Sequence, residues 1–105
     1  MYSEPSTAQV DTATDTLYQL GRHIWRGHGT NMLPYISTCL GVVVGDIHRQ
    51  SRKMFEGRRP DMPAVGNELG NLALSSIRWM GDLELDPVQC IRVAAGAQRR
   101  YASEH

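Results

Sequence analysis

The chain has 105 residues, with Lys+Arg and Asp+Glu both at 11 and a formal net charge of zero. That length makes one small domain, and the charge balance, with no long basic run, does not suggest a nucleic-acid binder. A domain this small buries only a modest share of its surface, so a core shared with a second subunit is expected.

Residues 1–13 are polar and rich in small side chains (Ser3, Glu4, Pro5, Ser6, Thr7), which predicts a flexible tail ahead of a helical domain over residues 14–105. The first helix is expected to open at Asp11 or Thr14, either of which can cap it. Leu17, Leu20, Ile24 and His28 follow at helical spacing, with Trp25 alongside, and Gly27-His28-Gly29 stops it. The second helix runs from Pro34, a good first-turn residue, to Phe55, with Ile36, Leu40, Val43, Val44, Ile47 and Met54 as its apolar stripe. Three consecutive valines also suit a strand, but the period of 3.6 continues through Met54 with no turn signal.

Gly57-Arg58-Arg59-Pro60 reads as a loop. The third helix begins near Asp61-Met62-Pro63 and carries Val65, Leu69, Leu72, Ser76, Met80 and Leu83 on one face. The fourth opens on Asp86-Pro87-Val88-Gln89: an N-cap, a first-turn proline, and a glutamine three residues after the cap. Its inner face is Val88, Ile91, Ala94, Ala95 and Tyr101. With no strand or repeat, the expected fold is an all-α bundle of four helices with short connections.

Gly41 and Gly45 on the second helix are four apart, as are Gly66 and Gly70 on the third. A glycine inside a helix costs about 1 kcal/mol relative to alanine. Close helix–helix packing, with room for a ligand, is the expected reason. Cys39 and Cys90 lie far apart and show no CxxC or zinc-ligand spacing, so both are expected as buried thiols in a reducing compartment. The start of the chain lacks a signal pattern, and no apolar run has membrane-spanning length, so a soluble cytoplasmic protein with no membrane or nucleic-acid partner is expected. Arg92, Arg99 and Arg100, like Arg49, Arg52, Lys53, Arg58 and Arg59, read as solvated helix ends and loop.

Asp46 and Glu68 are the acidic residues with most chemical interest. If the two central helices pack antiparallel, Asp46 faces Glu68 across the seam. They then read either as an acid–base pair or as carboxylates capping or pairing with nearby arginines; both readings stand. Val42 and Val43 with Asp46 on one helix, and Asn71 and Ser75 with Glu68 on the other, share that seam and are the candidate ligand-binding residues. Trp25 adds a ring able to stack on a planar ligand. Trp79 reads as a core or interface anchor, and His23, His28 and His48 as packing or surface residues.

The span from Leu40 to Tyr101 resembles the MazG-like, all-α nucleotide pyrophosphohydrolases. That family carries EExxE on one helix, ExxD on the next, and Asn and Lys on a last helix with a basic-aromatic end. Here Leu40-Gly41-Val42-Val43-Val44-Gly45-Asp46-Ile47 occupies the first slot and Asn67-Glu68-Leu69-Gly70-Asn71-Leu72 the second, with Gly45 and Gly70 matching the usual glycines. Leu85-Asp86-Pro87 and Arg99-Arg100-Tyr101 resemble the start and end of the last helix. The resemblance implies a homodimer or a dimer of dimers, and helices whose carboxylates hold Mg²⁺ against a triphosphate.

The departures argue against the family's reaction. Val42 and Val43 stand where the paired glutamates would be, Asp46 is a shortened third, Asn71 replaces the aspartate, and Ala94 and Gly96 replace the Asn and Lys. Two-metal phosphate chemistry needs ions about 3.5–4 Å apart, each held by carboxylates. The leading expectation is a degenerate family member with no cofactor, whose apolar cleft binds a small, nucleotide-like molecule or supports metal-independent acid–base chemistry by Asp46 and Glu68. The alternatives are a residual Mg²⁺-dependent pyrophosphohydrolase using Asp46, Glu68 and Asn71, and a non-catalytic partner subunit of a mixed oligomer.

Overall fold

The computed structural model describes residues 3–28 and 32–105, and these form four helices with no strand among them: α1 (Thr7–Ile24), α2 (Leu33–Phe55), α3 (Met62–Asp82) and α4 (Pro87–Glu104). The all-α, four-helix expectation holds. No described helix is long and apolar enough to cross a membrane.

The start of α1 departs from expectation. Residues 7–13, read as flexible tail, are helical, because Ser6-x-x-Gln9 is a capping box. The Ser6 hydroxyl accepts from the Gln9 backbone N–H at 3.1 Å, and the Gln9 carboxamide accepts from the Ser6 N–H at 2.8 Å. Two ion pairs then hold this segment to the last helix, Arg92 with Asp11 and Arg99 with Glu4. Arg92 and Arg99 thus tie α4 to the N-terminal segment, where a solvated helix end was expected. At its other end α1 stops at Ile24, so His28 lies beyond the helix, while Gly29 falls outside the described residues.

The other boundaries follow the cap signals. Pro34 sits in the first turn of α2, and Gly57, in the left-handed region at φ +71°, follows its end. Asp61 caps α3 by accepting from the Ala64 N–H at 3.1 Å, and its own N–H donates to Gln50 at 2.7 Å, which fixes the loop to α2. Asp86 caps α4 by accepting from the N–H groups of Val88 and Gln89.

Helix α3 is central. It packs against α1, α2 and α4; α1 also packs on α4, whereas α2 packs on α3 alone. The result is a slab of 44 × 42 × 22 Å with a radius of gyration of 16.2 Å, where a compact chain of this length has about 13 Å. The buried apolar side chains among the described residues are Ile36, Ile77 and Trp79, so Trp79 is the core anchor expected of it.

Much of the predicted apolar pattern faces outward instead. Helix α1 turns Thr14 and Gly21 inward and leaves Leu17, Leu20 and Ile24 exposed. The Thr14 hydroxyl satisfies itself by donating to the Val10 carbonyl at 2.9 Å. On α2, Val42, Val44 and Met54 are about as exposed as surface residues, and on α4 Ala94 and Tyr101 are exposed rather than inward. Both cysteines are half-buried and free.

The glycines also differ from expectation. Among the described residues, a methyl group on Gly41, Gly45, Gly66 or Gly70 would meet no neighbouring atom within 4 Å, so none of the four marks a close contact between the described helices. The close approaches belong to α1 against α3. The Tyr18 ring occupies the space a Gly81 side chain would need, and a Gly21 methyl would lie 3.3 Å from Cβ of Arg78.

Candidate functional site

Helices α2 and α3 run antiparallel, so successive turns of one meet successive turns of the other in reverse order. Asp46, Ile47 and Gln50 share one part of the seam with Ala64, Val65 and Glu68, and Tyr35, Cys39 and Val43 share another with Asn71, Leu72, Ser75 and Trp79. The seam opens into two separate cavities.

The larger cavity, about 470 Å³, lies between α2, α3 and the segment after α1. It is lined by Trp25 and His28, by Tyr35, Cys39 and Val43 of α2, and by Asn71, Leu72, Ser75, Arg78 and Trp79 of α3. Four of the expected ligand-binding residues, Trp25, Val43, Asn71 and Ser75, therefore meet in one place. The fifth, Val42, is exposed and lines neither cavity of the seam.

Arg78 is the residue sequence reading passed over. Its side chain is 8 % exposed. The stem crosses Gly21, and the guanidinium carbon lies 4.6 Å from the centre of the Trp25 ring and 6.0 Å from that of Trp79. Nε is 3.8 Å from the Asp82 carboxylate, close enough for charge attraction and too far for a hydrogen bond. One signal was available: from Leu69 to Gly81 the sequence carries no charge except Arg78, set between Ile77 and Trp79. An arginine within an otherwise uncharged, largely apolar helix is held by something more than solvent.

The smaller cavity, about 230 Å³, is lined by Asp46, Ile47, Arg49 and Gln50 of α2 and by Ala64, Val65 and Glu68 of α3. Asp46 and Glu68 thus share a cavity, as the antiparallel arrangement requires. Asp46 accepts a hydrogen bond from Arg49 one turn later, which is the arginine-pairing reading of that carboxylate. Asn71, the third candidate Mg²⁺ ligand, lines the other cavity. The three candidate ligands are thus divided between two cavities, and one of the carboxylates is paired with Arg49. Among the described residues no group of three or more His, Cys, Asp or Glu side chains comes together in a way that could hold a metal.

A third hollow, between the N-terminal segment and α4, is bordered by Glu4, Asp11, Arg92 and Arg99, which pair with one another. The Arg92 hydrogen bonds hold the Asp11 carboxyl below the usual aspartate range, with the cation's charge adding to the effect. These groups are spent on holding α1 to α4.

Comparison with protein families, with curated proteins and with solved structures finds no match to this chain.

Proposed function

We propose that this protein is a non-hydrolytic, MazG-like binding protein that takes a small planar molecule into the cavity between α2 and α3 and works as an oligomer of identical chains. The observation that carries the binding reading is the meeting of Trp25, Val43, Asn71 and Ser75 around one cavity of about 470 Å³. That volume suits a small-molecule ligand, and its aromatic walls with a few polar groups suit a planar one. Val42 and Val43 in the place of paired glutamates, and Asn71 in a different cavity from Asp46 and Glu68, support the loss of metal-dependent hydrolysis. Asp46 and Glu68 line the other, smaller cavity, so acid–base chemistry by that pair would act on a group held there and not on the planar ligand.

The oligomer rests on surface area. A compact monomer of 11.7 kDa exposes about 5,900 Å², whereas this chain exposes 8235 Å². The outward faces of α1 and α2 carry Leu17, Leu20, Ile24, Leu40 and Val44. Obligate interfaces bury roughly 2,000–5,000 Å² in total, so a second copy covering these faces accounts for the excess. The same surface would serve a non-catalytic subunit beside an intact relative; a purified chain that stays monomeric would favour that arrangement.

A thermal-shift screen of nucleotides and planar apolar compounds tests the binding reading. A hit that Trp25→Ala or Asn71→Ala removes supports it, and no hit in the panel counts against it.

A further inference from the structure

We infer that Arg78 is an anion anchor, and that the ligand of the α2–α3 cavity carries a carboxylate or phosphate on its planar group. This rests on the reading of that cavity as a small-molecule site and specifies what enters it. Arg78 lines the cavity and is 7 % exposed as a residue, yet among the described residues its Nε and Nη1 reach no hydrogen-bond acceptor. The indole Nε1 of Trp79, on the next residue and also on the cavity wall, is buried without an acceptor too. Buried donors are nearly always satisfied, and a buried cation left short of acceptors is costlier than a neutral donor.

Asp82 does not remove this deficit. Its carboxylate stands 3.8 Å from Nε, past hydrogen-bond reach. Among the described residues the cavity wall supplies no acidic group: its side chains are aromatic, apolar or polar without a carboxylate, apart from the Arg78 cation. An aromatic box can hold a cation, but this box already holds one, the Arg78 guanidinium against Trp25. The remaining complement is an oxyanion, which guanidinium groups bind in a planar, paired geometry. Trp25 and Tyr35, each about half exposed, both line the cavity and supply aromatic rings for the planar part to pack on.

The test compares acids with their neutral counterparts on the full chain by calorimetric titration: adenosine monophosphate against adenosine, and 1-naphthoate against 1-naphthylmethanol. At least one acid should bind tenfold or more tightly than its neutral partner, and which pair responds tells phosphate from carboxylate. Arg78→Met should erase the preference. Ser75→Asp, which sets a carboxylate one helical turn before Arg78, should weaken the acid at least tenfold and raise the melting temperature of the free protein; it carries the test if Arg78→Met does not fold. Equal affinities within both pairs, or a preference that survives Ser75→Asp, would overturn the anchor while leaving a cavity that binds neutral planar molecules. Failure of all four compounds to bind would overturn the anchor and the cavity reading together.

Discussion

The guanidinium of Arg78 lies 4.6 Å from the centre of the Trp25 ring, although the two residues sit on different segments and more than fifty positions apart. The contact joins two residues of the cavity wall and holds the segment that follows α1 against α3. A cation over an indole contributes about 0.5–2 kcal/mol, more when shielded from water. Trp25→Ala is therefore expected to destabilise the fold by about 1 kcal/mol, and Trp25→Phe by less, read as melting temperatures in chemical denaturation or calorimetry.

Gly81 is expected to be intolerant of a side chain. The Tyr18 ring fills the position of its missing Cβ, and overpacking of that kind costs about 1–3 kcal/mol. Gly81→Ala should lower stability by that amount, and Tyr18→Ala in the same chain should recover part of the loss. An additive double variant would contradict the contact.

Gly66 is the opposite case. It lies within α3 with open space around it, so Gly66→Ala should stabilise by about 1 kcal/mol through helix propensity alone. A destabilised variant would mean that a partner surface covers this position.

The proposed oligomer makes a prediction about mass and about α1. Light scattering should give the purified protein at least twice the mass of its 11.7 kDa chain. Leu20→Glu places a charge on the outward stripe of α1, where Leu20 is 46 % exposed in the single chain. It should dissociate the assembly, although it disturbs no buried contact within the chain. A wild-type monomer with a sharp melting transition would contradict the shared core.

Acid should loosen α1 from α4. The Asp11 carboxyl is held below its ordinary value, first by hydrogen bonding to Arg92. A carboxylate with a depressed folded-state pKa stabilises the fold above its unfolded value and loses that contribution as pH falls through the folded one. The loss should begin below about pH 4. Melting temperature should fall more steeply there in the wild type than in Asp11→Asn, and the two profiles should run parallel above pH 5.

The helices were legible in the sequence because caps and breakers are local: Asp61, Asp86, Pro34 and Gly57 each act within a turn of their own position. The start of α1 was missed because its capping box, Ser6 with Gln9, lies inside a segment too polar to look structured. The direction each helix faces was less legible. Periodicity identifies Leu17, Leu20 and Ile24 as one stripe but does not say whether the stripe meets this chain or another, and here Thr14 and Gly21 face inward instead. Likewise the spacing of Asp46, Val43, Asn71 and Ser75 identified the α2–α3 seam, but only the packing divides it into two cavities. Arg78 depended on both: its burial comes from Gly21 on one side and Trp25 on the other, neither of which is near it in sequence.

The most direct measurement is release of pyrophosphate from a panel of nucleoside triphosphates in the presence of Mg²⁺, run beside ligand titration on the same preparation. The account predicts saturable binding of a planar molecule, lost in Asn71→Ala, with no pyrophosphate formed above background. Mg²⁺-dependent release of pyrophosphate that Glu68→Ala abolishes would contradict it.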